Sequence, residues 1–260
     1  MNYSTDQASP VLQDYKLEEW LRMTYRTNDQ SLPTRQTSRK QASQIHWKQR
    51  VQFAIGHAIN RYYSMSPELR GITDIGQLVD FRWPKRISYF DHEQHYWQVK
   101  DLVTANIRKL LAANEYAPYP MMLYEQHQTL VPELQTDLSV IFQVAWQVSE
   151  QTAQPDDVAG HKSLIVQKFI VDDDPYTAEA FIHLSSVFCQ SAFGRLPERI
   201  DIFSIMEGKV QRHYPSPEKV AASIDYLHLL QHVVPGGTQV CEHCRQNAGV
   251  TSLAPSWSLM

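Results

Sequence analysis

The chain has 260 residues, of which 43% are apolar and 20% are charged, and its formal net charge at pH 7 is -4. This composition excludes collagen-like, fibrous and generally disordered chains, because enough apolar residues are present to form a buried core. The acidic balance excludes histone-like binding through a uniformly basic surface, although it permits a local basic groove.

Cysteine usage and the first residues predict where the protein is located. The three cysteines, Cys189, Cys241 and Cys244, are too few for a disulfide framework and are typical of a reducing compartment. Residues 1–6 do not resemble a signal peptide, and no apolar run approaches the roughly 20 residues that a membrane span needs. We therefore expect a cytoplasmic protein without a membrane partner.

The first half of the chain is predicted to be mainly helical. Residues 1–45 are rich in Gln, Ser, Thr and Arg, which predicts a polar N-terminal extension with one short helix at about residues 15–23. Residues 46–250 have the apolar periodicity of a folded domain, and residues 251–260 form a C-terminal tail. Apolar residues at helical spacing predict helices at 46–63 and 91–111, with Asp91 as the N-cap of the second.

The apolar pattern changes to that of strands after Pro118 and Pro120. Residues 121–125, 138–146 and 162–171 have the composition and alternation of β-strands. A helix at 176–193, a β-hairpin at 199–214 and a helix capped by Ser216 follow. This order predicts an α/β domain in which a mixed β-sheet is flanked by helices.

This order of elements resembles the RecB-like branch of the PD-(D/E)XK nuclease superfamily, which includes CRISPR-associated RecB-like exonucleases and AddB-type nuclease domains. The resemblance covers residues 50–250 and is closest from Ala178 to Cys244, where a helix ending at Phe193 and Gly194 precedes a hairpin, a capped helix and a cysteine-bearing tail. It implies a restriction-endonuclease-like core and, in an active member, a divalent metal ion such as magnesium or manganese.

The family's metal ligands are a histidine on the first helix, a glutamate at the first strand, an aspartate on the second strand and an acidic residue two before a lysine on the third. His57 and Glu125 match the first two positions. Gln143 and Gln167 stand at the two other acidic positions, and an amide brings no charge to a metal ion.

The catalytic lysine position is also altered, because Phe169 stands there. Lys168 is one position away, which on a strand turns it to the opposite face. The first hypothesis is therefore a non-catalytic nuclease-fold subunit that binds DNA or docks a protein partner in a DNA-processing or defence complex. The second is an active nuclease with a relocated site, formed by His57, Glu125, Asp137 and Lys168.

Family members that carry an iron–sulfur cluster ligate it with four thiolates, and three cysteines cannot supply them. Cys241 and Cys244 have the spacing of half a tetrahedral zinc site, and other residues or a partner chain would have to complete it. Two free thiols are the alternative. The third hypothesis is accordingly an intracellular α/β protein-interaction module with a zinc-binding tail.

Basic residues on or near the predicted sheet are candidates for contacts with the DNA backbone, and ordinary surface charge is the alternative. Trp83, in an aromatic and basic loop, is a candidate for stacking on a base. The predicted DNA-binding set is Lys162, Lys168, Arg199, Arg212 and Trp83.

Overall fold

A computed structural model of the chain describes residues 11–28, 47–113, 116, 118–149 and 162–233. The helices are α1 (Asp14–Asn28), α2 (Trp47–Ser64), α3 (Pro67–Arg70), α4 (Ile75–Arg82), α5 (Glu93–Ala112), α6 (Pro175–Phe193) and α7 (Val220–Val233). The strands are β1 (Val11–Gln13), β2 (Met122–Val131), β3 (Thr136–Ser149), β4 (Lys162–Ile170), β5 (Arg199–Ser204) and β6 (Lys209–His213).

Strand β3 organises the sheet because it pairs with three other strands. β2 runs antiparallel along residues 136–145 of β3. On the opposite edge of β3, β1 pairs in parallel with residues 137–139, and β4 pairs antiparallel with residues 144–149. β5 then joins parallel to β4, and β6 joins antiparallel to β5. The resulting mixed six-stranded sheet, flanked by helices, confirms the predicted α/β architecture.

Helices cover both faces of the sheet, and each face has its own apolar core. On the first, here called the α6 face, α1, α6 and α7 pack over side chains such as Val166. On the second, here called the α2 face, α2, α4 and α5 pack over side chains such as Trp146 and Phe169. Neighbouring residues of β4 therefore alternate between the two cores, as expected for a strand that is buried on both sides.

The side-chain alternation of β3 reverses at Gln143. Residues two apart on a regular strand point to the same face. Phe142, however, lies in the core of the α6 face, whereas Val144 lies in that of the α2 face. The facing strand is irregular at the same level, because Tyr124 adopts the left-handed backbone conformation with a φ of 51°. This irregularity turns the second half of β3 toward α2.

The N-terminal segment belongs to the sheet, which differs from the predicted separate extension. β1 adds to the edge of β3, and α1 buries Leu17 and Leu21 in the core of the α6 face. The Asp14 carboxylate, at the start of α1, accepts a hydrogen bond from Ile141 N at 3.0 Å. Residues 11–22 are thus part of the domain that was expected to begin at residue 46, while the predicted tail at 251–260 lies outside the described residues.

Candidate nucleic-acid interface

Amides occupy the two acidic positions implied by the resemblance, and both are bonded inside the protein. Gln143 is 7% exposed, and its Oε1 accepts a hydrogen bond from Phe169 N at 2.6 Å. Gln167 is 4% exposed, and its Oε1 accepts one from Trp146 Nε1 at 2.9 Å. Phe169, at the lysine position, is fully buried and stacks on Phe203. These oxygens are uncharged and already used in cross-strand bonds, which makes them poor ligands for a divalent cation.

The other predicted metal ligands do not converge. The His57 ring stacks on that of Phe81 on the α2 face. The Glu125 carboxylate projects from β2 and lies 3.4 Å from a histidine of the same strand. Asp137 accepts a hydrogen bond from a glutamine of β2 at 3.0 Å. Among the residues that the structure describes, no three His, Cys, Asp or Glu side chains are grouped so that they could hold a metal ion. The relocated nuclease site therefore lacks a geometric basis in this part of the chain.

Lys168 forms a buried ion pair, which corrects both of its predicted roles. Its Nζ lies 3.0 Å from Glu18 Oε2, and its side chain is 6% exposed. The same ammonium lies 4.9 Å from the ring centroid of Phe181, so it is enclosed between α1 and α6. Because α1 covers this side chain, it reaches neither a phosphate at the surface nor a site on the α2 face.

The pKa values of this buried cluster follow from burial and charge together. Burial alone would lower the pKa of Lys168, but the Glu18 and Asp14 carboxylates outweigh it and raise that pKa. Burial would raise the pKa of Glu18, but Lys168 and Arg22 hold it below its ordinary value. For Asp14 burial dominates, and the pKa is raised despite the nearby Lys168. The cluster joins α1 to β4 electrostatically and contributes to the fold.

The remaining predicted DNA-binding cations have different surroundings. Arg199 Nε donates to Asp201 Oδ1 at 2.8 Å, and the same guanidinium donates to the Tyr116 hydroxyl, so Arg199 neutralises a buried carboxylate. Arg212 is exposed on the edge strand β6. Lys162 begins β4, and its side chain lies outside the described residues.

Trp83 is a core residue rather than a stacking platform. It is 2% exposed and packs near Phe90 and Tyr96 beneath α2 and α5. Its burial corrects the prediction that it stacks on a base. The exposed ring of the same aromatic and basic segment is that of Phe81, with 57% of the residue accessible.

The predicted zinc ligands Cys241 and Cys244 lie outside the described residues. The third cysteine, Cys189, is a free thiol inside α6. Burial raises its pKa to about 12, so it stays protonated at neutral pH. Cys189 is therefore a small apolar core residue, and it is enclosed by the α6 face.

Arginine side chains and exposed rings cover the outer side of α2 and α4. Arg50, Phe53, His57 and Arg61 follow one another at spacings of three or four residues, which places them along one side of α2. α4 and the segment after it lie beside them. We call this region the basic aromatic surface, and it consists of Arg50, Phe53, His57, Arg61, Phe81, Arg82, Arg86 and Tyr89.

Phe81 lies at the centre of this surface. Its ring is stacked on that of His57, with 5.2 Å between the ring centroids. The guanidinium groups of Arg61 and Arg82 lie 5.5 Å and 5.2 Å from its centroid. Arg50 covers the ring of Tyr89 at 3.8 Å in the same way. Exposed rings held beside guanidinium groups can stack on bases while the arginines contact phosphates.

The surface is basic although the chain as a whole is acidic. Residues 47–90 contain seven Lys or Arg and three Asp or Glu. Two of these acids have local partners, because Asp74 accepts a bond from the Gly76 amide at the start of α4 and Asp80 pairs with Lys100. Of the seven cations, Lys48 pairs with Asp172 and Arg70 bonds to backbone carbonyls, whereas Arg50, Arg61, Arg82 and Arg86 belong to the basic aromatic surface.

The pKa of His57 is affected by the neighbouring arginines. Partial burial lowers its pKa below the usual value, and the guanidinium groups of Arg82 and Arg61 lower it further. Its ring is therefore mostly neutral at pH 7. Nδ1 of His57 is buried and makes no hydrogen bond within the described part of the chain.

Sequence reasoning found the buried side of α2 but missed its exposed side. The signal was present, because two arginines and a phenylalanine share the helical spacing of His57. What the sequence could not supply was the position of α4, which places Phe81 and Arg82 beside that side of α2.

No protein-family model and no curated protein matches this chain. Among the described helices, none is long and apolar enough to cross a membrane.

Proposed function

We propose that this protein binds DNA through the basic aromatic surface and does not hydrolyse it. One observation carries the proposal: an exposed phenylalanine, Phe81, stands between Arg61 and Arg82 and is stacked on His57. Stacking on aromatic rings together with backbone contacts from cations is how proteins bind single strands without sequence preference. We therefore infer that single strands bind more tightly than duplex.

The basic aromatic surface is long enough to contact several nucleotides of single-stranded DNA. Arg50 and Arg61 are eleven residues apart on α2, which is roughly 16 Å along the helix axis. Phosphates follow one another at about 3.4 Å per step along one strand of a duplex and farther apart in an extended strand. Several consecutive phosphates can thus contact the arginines while Phe53, 64% exposed, and Phe81 contact bases.

The lack of hydrolysis is supported by the positions that an active nuclease would use. Gln143 and Gln167 offer uncharged oxygens that already accept internal hydrogen bonds, and Phe169 fills the place of the lysine. Asp201, which lies opposite Gln167 on β5, is paired with Arg199, so among the described residues no carboxylate at this point is left to position a divalent ion beside a phosphodiester. The basic aromatic surface shares no residue with Gln143 and Gln167. DNA binding therefore does not depend on catalysis.

We also propose a family, a cellular location and a type of partner for this protein. We place the protein in the RecB-like branch as a non-catalytic member, on the basis of the order of its helices and strands and the matching positions of His57 and Glu125. We infer a cytoplasmic location from the free thiol of Cys189, and a protein partner because the described residues form no catalytic site. The interaction-module hypothesis depends on Cys241 and Cys244, outside the described residues.

A combined cleavage and binding assay tests the proposal. Purified protein is incubated with end-labelled single- and double-stranded DNA in the presence of manganese or magnesium, beside Glu125→Ala prepared identically. We expect both proteins to retard the DNA on a native gel and to leave its length unchanged on a denaturing gel.

This assay tests DNA binding and the lack of hydrolysis separately. Metal-dependent cleavage that is lost in Glu125→Ala would overturn the non-catalytic assignment and favour a relocated site. Intact DNA without retardation of either form, at low salt where backbone contacts are strongest, would overturn DNA binding itself.

A further inference from the structure

A cavity of about 180 Å³ lies on the α2 face, between α5 and the β5–β6 hairpin. Its floor is formed by Gln167 of β4 with Asp201 and Phe203 of β5, and α5 provides the opposite wall. An apolar cavity of about 150 Å³ holds one benzene ring, so this space accepts one small ring system and is too small for a duplex. It is a different site from the basic aromatic surface, with which it shares no residue.

A close contact fixes one end of the cavity. Asn106 of α5 donates a hydrogen bond through Nδ2 to the Ile205 carbonyl at 2.7 Å. Gly208, in the hairpin turn, has a φ of 60°, and a β-carbon there would meet Asn106 Oδ1 at 3.0 Å. Glycine therefore lets the hairpin turn approach α5 closely at this end of the cavity.

The opening is positively charged from two sides. Lys109 reaches it from α5 and Arg212 from β6, and neither has a carboxylate within 4.0 Å in the described part of the chain. Asp201 is the carboxylate among the described lining residues, and both of its oxygens are bonded to Arg199, at 2.8 Å and 3.2 Å. The charge of Asp201 is thus compensated, whereas those of Lys109 and Arg212 are left for a ligand. Lys209 adds a third cation, loosely paired with Asp173 at 3.6 Å.

The interior beyond these cations is largely apolar. Leu110, Phe203 and Val210 line it, and Tyr63 and Tyr116 add aromatic edges. Small-molecule sites combine this kind of lining with a few polar groups that fix the orientation of the ligand. A dianionic phosphate monoester matches two cations better than a carboxylate does, because it carries about -1.5 to -2 charge at neutral pH and offers three acceptor oxygens.

We propose that this cavity binds a small organic monophosphate, with the phosphate between Lys109 and Arg212 and a single ring against Leu110 and Phe203. Phenyl phosphate and pentose phosphates belong to this class. The inference does not rest on the DNA-binding function, because different residues form the two sites.

Titration of the full-length, ¹⁵N-labelled protein tests this site. The probes are phenyl phosphate and ribose 5-phosphate, with benzoate and inorganic phosphate as partial ligands that lack the phosphate or the ring. We expect phenyl phosphate and ribose 5-phosphate to shift the amide resonances of Lys109, Gly208 and Arg212, with dissociation constants below about 1 mM. Benzoate and inorganic phosphate should each bind at least about tenfold more weakly.

Two double variants locate the binding. Lys109→Gln with Arg212→Gln should weaken phenyl phosphate binding at least about tenfold. Arg61→Gln with Arg82→Gln, on the basic aromatic surface, should leave it unchanged. The proposal is overturned if neither phosphate ester binds at up to about 5 mM, if benzoate binds equally well, or if the two double variants weaken binding equally.

Discussion

At the scale of single residues, the most informative side chain is Lys168. Its position in the sequence, beside the expected acid and lysine positions, made a catalytic or DNA-binding role the natural prediction. The structure gives it a buried partner, Glu18, which is 150 residues away in the chain. No local pattern links two residues at that separation, so this ion pair could not be predicted from the sequence.

The Lys168–Glu18 pair predicts a clear stability effect. Lys168→Met should lower the free energy of unfolding by about 3 kcal/mol, because it leaves a buried carboxylate without its main partner. Adding Glu18→Leu should recover part of that loss, since the uncompensated charge is then removed. Urea unfolding at neutral pH measures both changes. Equal stability of Lys168→Met and the wild type would show that the pair is not buried in solution.

His57 predicts an effect of its arginine neighbours on titration. Its pKa is lowered in the free protein by burial and by Arg82 and Arg61. Bound phosphates offset the charge of those arginines, so the pKa of His57 should rise when DNA is added. NMR titration of the His57 ring measures this pKa with and without DNA. In the absence of DNA, Arg61→Gln with Arg82→Gln should also raise the pKa of His57. A pKa that neither change moves would separate His57 from this surface.

At the scale of secondary structure, the helices, the buried strands and the β5–β6 hairpin were predicted well, whereas the edge strand β2 was predicted too short. The helices at 46–63 and 176–193 were predicted from apolar periodicity and are confirmed as α2 and α6. Helix α5 begins at Glu93 with His92 as its N-cap, where Asp91 was expected. Both residues can cap a helix, and the choice between neighbours depends on backbone geometry that the sequence does not fix.

Strand β2 is longer than predicted for a physical reason. The expected strand ended at residue 125, whereas β2 continues to Val131. Residues 125–130 are mostly polar and exposed because β2 is an edge strand, so they lack the alternation that identifies a half-buried strand. The same polar stretch ends in a tight connection, where Gln135 adopts the left-handed conformation with a φ of 50°.

That connection gives a prediction for the β2–β3 hairpin. Gln135→Gly should raise the free energy of unfolding by up to about 1 kcal/mol, because glycine adopts positive φ without steric cost. Gln135→Val should lower it by about 1 kcal/mol, since a β-branched residue is poorly tolerated there. Chemical denaturation of the two variants and the wild type measures the order. The reverse order would contradict the turn conformation.

At the scale of the whole molecule, the mixed sheet and its flanking helices were predictable, whereas the role of the N-terminal segment was not. A three-residue strand such as β1 leaves no recognisable periodicity, and its pairing partner lies more than 120 residues away. The basic aromatic surface likewise combines α2 with α4, whose packing is a tertiary property. Tertiary contacts therefore account for most of what the sequence did not predict.

Deletion of residues 1–28 tests whether this segment is integral. The truncated chain loses β1, the buried Leu17 and Leu21, and the partner of Lys168. We expect the midpoint temperature of its thermal unfolding to fall by at least about 10 °C, or the transition to lose cooperativity. Circular dichroism during heating measures this. A transition within about 2 °C of the wild type would mean that the segment is an appended extension.

The measurement that tests the central claim most directly is the fluorescence anisotropy of a labelled single-stranded oligonucleotide, titrated at several salt concentrations. Arg61→Gln with Arg82→Gln should weaken binding at least about tenfold and reduce the slope of log affinity against log salt by about 1.4, because two phosphate contacts with a single strand are lost. The control, Lys16→Gln with Lys219→Gln, removes the same charge from elements of the α6 face and should change the affinity less than about twofold. Equal weakening by the two pairs of substitutions, or none by either, would contradict DNA binding through the basic aromatic surface.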